Sequence, residues 1–206
     1  MARHEAADAD PARSKDDPHV KVSRLPALPK PLDPIVADLF ENTRQRGGHI
    51  LNLHKVSGHA PRLTRAKRPF TYALRNECDC PRLYREIAIC RTAINVECDY
   101  ELHHHQPLVL QAGLTQAQFK ALGDWSSARD LFDAKALAVL AYVDEMTLRK
   151  GVVAQATFDE LARHFTAREI VELSYNATSY YASGLFMKAL AIEPDDEGKK
   201  AAPGVF

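Results

Sequence analysis

Three side chains that can carry acid–base or thiol chemistry lie close together in the segment 98–105, which has the sequence CDYELHHH. Successive residues of an α-helix are rotated by about 100°. In that geometry, Glu101 lies about 60° and His105 about 20° from Cys98 around the helix axis, so the three share one face. A carboxyl and an imidazole four residues apart can hold a substrate proton between them. The spacing therefore predicts an acid–base site.

Cys98 would lie at the N-terminus of this helix. The free backbone N–H groups and the helix dipole at that end lower the pKa of a thiol. The position therefore predicts a reactive thiol with a nucleophilic or redox role. The alternative interpretation is a small buried apolar side chain, which is the more usual state of a free cysteine.

The run of three histidines suggests a metal site, but helix geometry argues against it. His103 and His104 lie about 140° and 120° from Cys98 on opposite sides of the helix, so they leave the face that His105 shares. Cys98, Glu101 and His105 could alternatively supply three zinc ligands and an open position. Since no remote cluster offers further ligands, we predict no metal.

A further carboxylate, Glu86, precedes Cys98 by twelve residues. If the two helices form an antiparallel hairpin through residues 95–97, Glu86 packs near the His105 end of the second helix. It is then a candidate to relay protons to the histidine. The alternative is a salt bridge on the helix surface, which would contribute little to stability.

Helical periodicity and capping signals predict the elements that position these side chains. Apolar residues before Cys98 recur at spacings of four, three and four, which predicts a helix with one buried face. Capping boxes predict three helix starts, at Thr115 with Gln118, at Thr157 with Glu160 and at Thr166 with Glu169. No alternating apolar run is long enough for a sheet, so the sequence predicts an all-α bundle.

The ends of the chain differ from this helical part in composition. Half of the twelve prolines fall within the first 34 residues, among charges of both signs. Such a segment lacks the apolar content that offsets the entropy of ordering. We predict a disordered segment over residues 1–23, a helical domain over 24–194 that begins with an extended arm, and a flexible tail over 195–206.

The overall composition disfavours nucleic acid and membrane partners. Lys and Arg together number 27, as do Asp and Glu, so no net charge attracts a polyanion. No stretch approaches the roughly 20 apolar residues that span a bilayer, and no apolar segment follows the early basic residues. A cytoplasmic protein is therefore expected. Its four cysteines are expected to be thiols, since a core of this size without an export signal needs no disulfide.

The residues around Cys98 resemble a motif of the carboxymuconolactone decarboxylase and alkylhydroperoxidase-like superfamily. Alkylhydroperoxidase-type members carry a Glu, eleven residues and then C-x-x-C-x-x-x-H. Glu86, Cys98 and His105 match three of these places, and Glu101 stands at the second cysteine, which gives the variant C-x-Y-E-x-x-x-H. The similarity extends to GHILNLH at 48–54, HAP at 59–61 and AGLT at 112–115. The resemblance implies an alkylhydroperoxidase-like helical bundle that forms a homo-oligomer, a trimer or a hexamer.

The residue at position 101 decides which chemistry the resemblance implies. Thiol peroxidases of the superfamily use both cysteines as attacking and resolving partners, and Glu101 removes the resolving thiol. Decarboxylase-type members carry E-x-x-x-H, which Glu101 and His105 match, and act on a carboxylated γ-lactone without a cofactor. The first hypothesis is therefore a cofactor-free enzyme for a small carboxylated or lactone-like substrate, with His105 as proton shuttle. Glu86 would tune His105 and Glu101, and Tyr100 and Cys98 would line the substrate site.

Two other hypotheses stay open. The chain is alternatively an antioxidant thiol peroxidase, in which Cys98 attacks a hydroperoxide and an external thiol reduces it. The third hypothesis is an interaction protein, in which the polar pair of Glu101 and His105 only specifies subunit packing.

Overall fold

The computed structural model describes residues 17–196, and these form a bundle of helices without a β-strand. The helices are α1 (Pro34–Gln45), α2 (Asn52–Ser57), α3 (Pro61–Asn76), α4 (Arg82–Asn95), α5 (Asp99–Gln111), α6 (Gln116–Ala121), a 3₁₀ stretch (Leu122–Leu131), α7 (Ala134–Leu148), α8 (Gln155–Ala162) and α9 (Ala167–Leu190). The predicted all-α bundle is confirmed. No described helix combines the length and apolar character needed to cross a bilayer. Residues 1–16 and 197–206, which hold most of the predicted disordered segment and tail, lie outside the described residues.

Two helix starts follow the capping boxes in the sequence. At α6, the Thr115 hydroxyl accepts the N–H of Gln118 at 3.2 Å, and the Gln118 side chain accepts the N–H of Thr115 at 2.8 Å. Thr166 and Glu169 form the same pair of hydrogen bonds at the start of α9. These reciprocal bonds satisfy N–H groups that a helix start would otherwise leave without acceptors.

The third predicted capping box, at Thr157, is wrong. Helix α8 begins earlier, at Gln155, with Ala154 as its N-cap residue. The carboxylate of Glu145 on α7 accepts the N–H of Ala154 at 2.7 Å. The cap is thus supplied by another helix, which leaves no local signal in the sequence.

Helix α4 lies at the centre of the bundle, and its middle part is covered on every side. It packs against α5, α7 and α9, and all of residues 85–93 are buried. The prediction of a single buried face is therefore too narrow. Because α4 is enclosed, its polar residues Glu86 and Arg91 are carried into the interior, where each needs a partner.

Arg91 shows how such a residue is accommodated. Its Nε and Nη2 atoms donate to the two carboxylate oxygens of Asp144 on α7 at 2.6 and 2.9 Å. Its Nη1 atom donates to the carbonyl oxygen of Leu122 at 2.7 Å, and the Trp125 indole N–H also donates to Asp144, at 2.9 Å. A two-pronged pair of this kind fixes both distance and orientation. It therefore holds α4 in register with α7.

The described ends of the chain pair with each other. The N–H of Arg24 donates to the carbonyl oxygen of Leu190, and the N–H of Glu193 donates to that of Val22, both at 2.9 Å. Val22 and Asp195 are buried, although the composition assigns them to the predicted disordered segment and to the predicted tail. Packing contacts therefore continue past the predicted domain boundaries on both sides.

Candidate active site

Three helices bring polar side chains together around His105. Helix α5 contributes Glu101 and His105, α4 contributes Glu86, and the ring of Tyr180 from α9 lies edge-on with its centre 4.7 Å from that of the His105 ring. Glu86 and Glu101 are 6% exposed and His105 is 3% exposed. The structure thus brings these three sequence-predicted residues together inside the bundle. We call Glu86, Glu101 and His105 the His105 cluster.

Glu86 fixes the orientation of the His105 ring. The Nδ1 atom of His105 lies 2.8 Å from Oε2 of Glu86. Because an ionised carboxylate only accepts hydrogen bonds, Nδ1–H is the donor of this bond. Nε2 faces Oε2 of Glu101 at 3.6 Å, which is too long for a hydrogen bond. The imidazole therefore has one nitrogen held in place and the other able to exchange a proton.

The two carboxyls of the cluster differ in pKa. Burial opposes ionisation of Glu86, but the hydrogen bond from His105 and the charges of His105 and Arg75 outweigh it and lower the Glu86 pKa. Burial raises the pKa of Glu101, and the charges of His105 and Arg75 counter only part of that effect. Glu86 is therefore the carboxylate, and Glu101 keeps its proton to higher pH. Paired groups whose pKa values are pushed apart are typical of acid–base sites.

Arg75 and Tyr180 border the cluster, and sequence reasoning missed both. Tyr180 is 9% exposed and Arg75 is half-buried. Burial raises the pKa of the Tyr180 hydroxyl. The pKa of Arg75 is raised, most strongly by the nearby Tyr180 and then against burial by Glu86 and Glu101. The periodicity of α9 suggests only a core or interface position for Tyr180, and Arg75 is one of many basic residues on α3.

Arg85 of α4 holds the end of α3 and with it Arg75. Its guanidinium donates to the carbonyl oxygens of Leu74 and Arg75 at 3.0 and 3.1 Å, and to that of Cys80 at 2.9 Å. The carbonyl groups in the last turn of a helix have no donor within the helix. Here a buried arginine donates hydrogen bonds to two of them. The contact between α4 and the end of α3 thus sets the position of Arg75.

Cys98 lies at the N-cap position of α5, but its surroundings are apolar. The residue is 3% exposed and belongs to a buried cluster that includes Val96 and Met187. Burial raises the pKa of its thiol, and the N–H groups of Glu101 and Tyr100 at the helix start counter only part of that effect. The predicted lowering of the Cys98 pKa is wrong, because desolvation outweighs the helix terminus.

Tyr100, which is expected to line the substrate site, takes part in a different polar cluster. Its hydroxyl donates to Oδ2 of Asp195, and Nε2 of His104 lies 3.2 Å from the same oxygen. The N–H of Asn52 donates to Oδ1 of Asp195 at 2.8 Å. Burial opposes ionisation of Asp195, but these hydrogen bonds outweigh it and lower the Asp195 pKa. We call Asp195, Tyr100, His104 and Asn52 the Asp195 cluster.

The three neighbouring histidines have three different surroundings. His103 is exposed, His104 contacts Asp195, and Nδ1 of His105 donates to Glu86. Among residues 17–196, no three His, Cys, Asp or Glu side chains are arranged as a metal site. The divergence of adjacent side chains follows from the rotation of about 100° per helical residue.

Solved structures are similar to this chain, whereas no model of a known protein family and no curated protein sequence matches it. One is an uncharacterized peroxidase-related protein from Ralstonia eutropha JMP134, described as an alkylhydroperoxidase AhpD core. It has a TM-score of 0.72 and 19% identity over 86% of this chain and 95% of that one. The chain has an AhpD-like fold.

The AhpD-like fold is the one implied by the motif around Cys98, so that prediction is confirmed for the fold. An uncharacterized peroxidase-related protein from Silicibacter sp. TM1040 shares it, with a TM-score of 0.69 and 19% identity over 88% of this chain and 94% of that one. The debrominase Bmp8 has a TM-score of 0.53 and 14% identity over 84% of this chain and 91% of that one. Because one fold hosts different chemistries, the activity of this chain depends on the residues of its site.

Proposed function

We propose that this AhpD-like chain is an enzyme that performs cofactor-free acid–base chemistry on a small carboxylated or lactone-like molecule. The observation that carries the proposal is the His105 ring between two carboxyls whose pKa values are shifted in opposite directions. Such an arrangement combines a proton donor and a proton acceptor at one place. Decarboxylation of a carboxylated lactone is the reaction that best fits this arrangement and the E-x-x-x-H spacing of Glu101 and His105.

Each member of the His105 cluster has its own role in this reaction. Glu86 accepts the Nδ1–H bond and so keeps Nε2 of His105 facing Glu101. As the substrate loses CO₂, the electron pair of the broken C–C bond stays on the remaining carbon, which takes a proton from Glu101. His105 then passes a solvent proton to Glu101 through Nε2. One proton is consumed in each turnover.

The cluster is almost fully buried, and the more exposed side chains around it are arginines. The side chain of Arg82 is 51% exposed and its Nε lies 3.6 Å from Glu86, while Arg75 is half-buried. We expect a small substrate to enter past these two side chains. Exclusion of bulk water strengthens charges and hydrogen bonds within the site, which favours proton transfer between fixed groups.

A second candidate is a thiol peroxidase, which the peroxidase-related neighbours favour. In that reaction the Cys98 thiolate attacks a hydroperoxide oxygen and becomes a sulfenic acid, the alcohol or water leaves, and an external thiol reduces the cysteine. Burial and the raised pKa of Cys98 weigh against it. The presence of Glu101 where a resolving cysteine would stand weighs against it as well.

Turnover of a panel of carboxylated γ-lactones, followed by CO₂ release and product analysis, tests the first candidate. Glu101→Gln and His105→Asn should each lower turnover by about 10²–10⁴-fold, because each removes a group that exchanges protons. Cys98→Ala should stay within about twofold of the original chain, since the thiol takes no part. Undiminished turnover in both Glu101→Gln and His105→Asn would overturn the proposal.

Mass spectrometry after treatment with hydrogen peroxide tests the second candidate. Cys78 serves as an internal reference, because it is half-buried whereas Cys98 is buried. Cys98 is expected to stay reduced while Cys78 is oxidised, because Cys98 is the less accessible of the two thiols. Faster oxidation of Cys98 than of Cys78 would favour the thiol peroxidase instead.

A further inference from the structure

Helix α9 carries no charged residue over residues 173–187, although one side of this segment is exposed. The other side packs against the rest of the bundle, chiefly α4. A helix with one side in water normally carries charged side chains there, and a helix without a polar face is normally buried. The exposed side of α9 therefore has the composition of a surface that another molecule covers.

The exposed residues of α9 form a single stripe along the helix. Six of them recur at alternating spacings of four and three residues, namely Val171, Tyr175, Thr178, Ala182, Leu185 and Ala189. With a rotation of about 100° per residue, all six lie within about 80° of one another around the helix axis. Alternating steps of four and three are typical of a helix that packs along another helix. We call these six residues the α9 stripe.

The apolar area of this surface is sufficient for a pair of chains. Five large apolar side chains on and beside the stripe are each between 43% and 55% exposed, namely Phe70, Val171, Tyr175, Leu185 and Phe186. Phe70 of α3 joins the stripe through an edge-on contact with Tyr175, with ring centres 5.9 Å apart. Half-exposed aromatic side chains offer roughly 100 Å² each, and the two aliphatic ones roughly 60 Å² each. Two copies would bury roughly 800 Å² from these side chains alone, close to the roughly 1,000 Å² that a specific interface needs.

The shape of the stripe fits a second copy of the same helix. Thr178 and Ala182 make its middle small, whereas Tyr175 on one side and Leu185 and Phe186 on the other are bulky. Two crossing helices approach most closely where they cross and diverge beyond that point, and the side chains at the contact set their separation. Small side chains therefore suit the crossing point, and large ones fill the space on either side of it.

The charged groups at the two ends of α9 favour an antiparallel arrangement. At the start of the helix, Arg168 forms ion pairs with both Asp79 and Glu172, so two carboxylates share one cation. At its end, the Lys188 ammonium pairs with one carboxylate, and the Arg24 guanidinium donates to a backbone carbonyl at 3.1 Å. One carboxylate is thus shared by two cations there. Antiparallel copies bring the negative group of one chain towards the positive group of the other.

We propose that two copies of this chain pack against each other through the α9 stripe, antiparallel and related by a two-fold axis near residues 178–182. In such an interface one surface serves both copies, so every contact occurs twice. The proposal gives a surface and a direction to the homo-oligomer that the sequence resemblance implies. It does not depend on the proposed reaction, because the stripe consists of exposed residues and the His105 cluster is buried.

Sedimentation velocity of the full chain and of two charged variants tests this interface. The original chain should assemble from an even number of copies. Leu185→Glu and Ala182→Glu each place two unpaired charges in the interface, so each should weaken the association by at least about 100-fold and halve the number of copies. Leu148→Glu, at a leucine of α7 that is 59% exposed, is the matched control and should leave the assembly unchanged.

Thiol crosslinking of the full chain tests the direction of the two helices. A mixture of Tyr175→Cys and Leu185→Cys should be joined by a short bis-maleimide reagent, because these positions of opposite copies face each other in an antiparallel pair. Each variant alone should be joined much less, since its two introduced thiols are then separated by about ten residues of helix, or about 15 Å. The original chain, treated in the same way, measures the contribution of its own cysteines.

Several outcomes would overturn the proposal. A monomeric original chain would do so, whether its stripe is bare, covered by the ends of the chain or bound by another protein. So would an odd number of copies, or an assembly that Leu185→Glu and Ala182→Glu leave intact. Crosslinking within each single variant but not between the two would contradict the antiparallel arrangement. Circular dichroism establishes that each variant keeps its helices, which is expected because the substituted side chains are exposed.

Discussion

Helix α5 carries two buried clusters of histidine and carboxyl groups, and within residues 17–196 the carboxyl groups of the two clusters differ in their hydrogen bonds. In the Asp195 cluster, both carboxylate oxygens of Asp195 accept hydrogen bonds from protein donors. In the His105 cluster, the side chain of Glu101 forms no hydrogen bond within residues 17–196 and lies 3.6 Å from His105. Fully paired polar groups stabilise a fold, whereas incompletely paired ones cost stability and suit a site that a ligand completes.

The two clusters are separated by a single step along the chain. His104 and His105 are adjacent, yet one contacts the C-terminal segment through Asp195 and the other contacts α4 through Glu86. Each cluster contains a histidine and at least one carboxyl group. Whether histidine and acidic residues form a candidate site therefore depends on the hydrogen bonds that they already make within the protein. Their residue types alone do not decide it.

Asparagine substitutions at the two adjacent histidines should give the largest difference in turnover between the two clusters. His105→Asn should lower lactone turnover by about 10²–10⁴-fold, because asparagine cannot exchange a proton. His104→Asn should lower the free energy of unfolding by about 1 kcal/mol through its lost contact with Asp195, and should leave turnover within about threefold. Steady-state kinetics and urea unfolding of both variants measure the contrast. Equal losses of turnover in the two variants would contradict the claim that His105, and not His104, takes part in the reaction.

Removal of the Asp195 carboxylate should have the largest effect on stability. Asp195→Ala leaves the donors of Asn52 and Tyr100 buried without an acceptor, so the free energy of unfolding should fall by about 3–5 kcal/mol. Asp195→Asn keeps one acceptor oxygen and should lose less. Urea unfolding at neutral pH compares the three proteins. A loss below that of His104→Asn would show that the cluster does not anchor this segment.

Acid should weaken the fold through the same carboxylate. The folded-state pKa of Asp195 lies below the ordinary aspartate value, so its contribution is complete above that ordinary value. The contribution is lost as the pH falls from there through the lowered folded-state pKa. Stability should therefore drop more steeply below about pH 4 in the original chain than in Asp195→Asn. The same dependence of the free energy of unfolding on pH in both proteins would contradict this prediction.

Phenylalanine substitutions at one tyrosine of each region should give the smallest but best matched contrast. Tyr100→Phe removes a paired hydroxyl and should lower the free energy of unfolding by about 1–2 kcal/mol. Tyr180→Phe removes a hydroxyl that forms no hydrogen bond within residues 17–196, and should change the free energy of unfolding by less than about 0.5 kcal/mol. Chemical unfolding of both variants measures this directly. A larger loss in Tyr180→Phe would mean that its hydroxyl has a structural partner.

The part of the site that depends on local geometry could be predicted from the sequence. The helical rotation places Glu101 and His105 on one face, and the short connection between α4 and α5 brings Glu86 to them. The helical class of the fold follows from periodicity and capping for the same reason. In these cases the determining contacts lie within one helix or one helical hairpin.

The features of the site that the sequence does not predict depend on contacts between segments that are distant in the sequence. Arg75 is positioned by Arg85, whose bonds to the end of α3 have no local signature. Tyr100 is bound by Asp195, a residue 95 positions away that the composition assigns to a loose tail. The pKa of Cys98 follows from burial beside α9, which the pattern of α5 does not reveal.

Opposite protonation of Glu86 and Glu101 is the property on which acid–base chemistry at His105 depends. Carbon NMR of isotopically labelled glutamate carboxyls measures it directly, with Glu86→Gln and Glu101→Gln to assign the two signals. We predict that Glu86 titrates below, and Glu101 above, the ordinary glutamate pKa of about 4.3. Titration of both carboxyls at that ordinary value, or of Glu86 above Glu101, would contradict the proposed site.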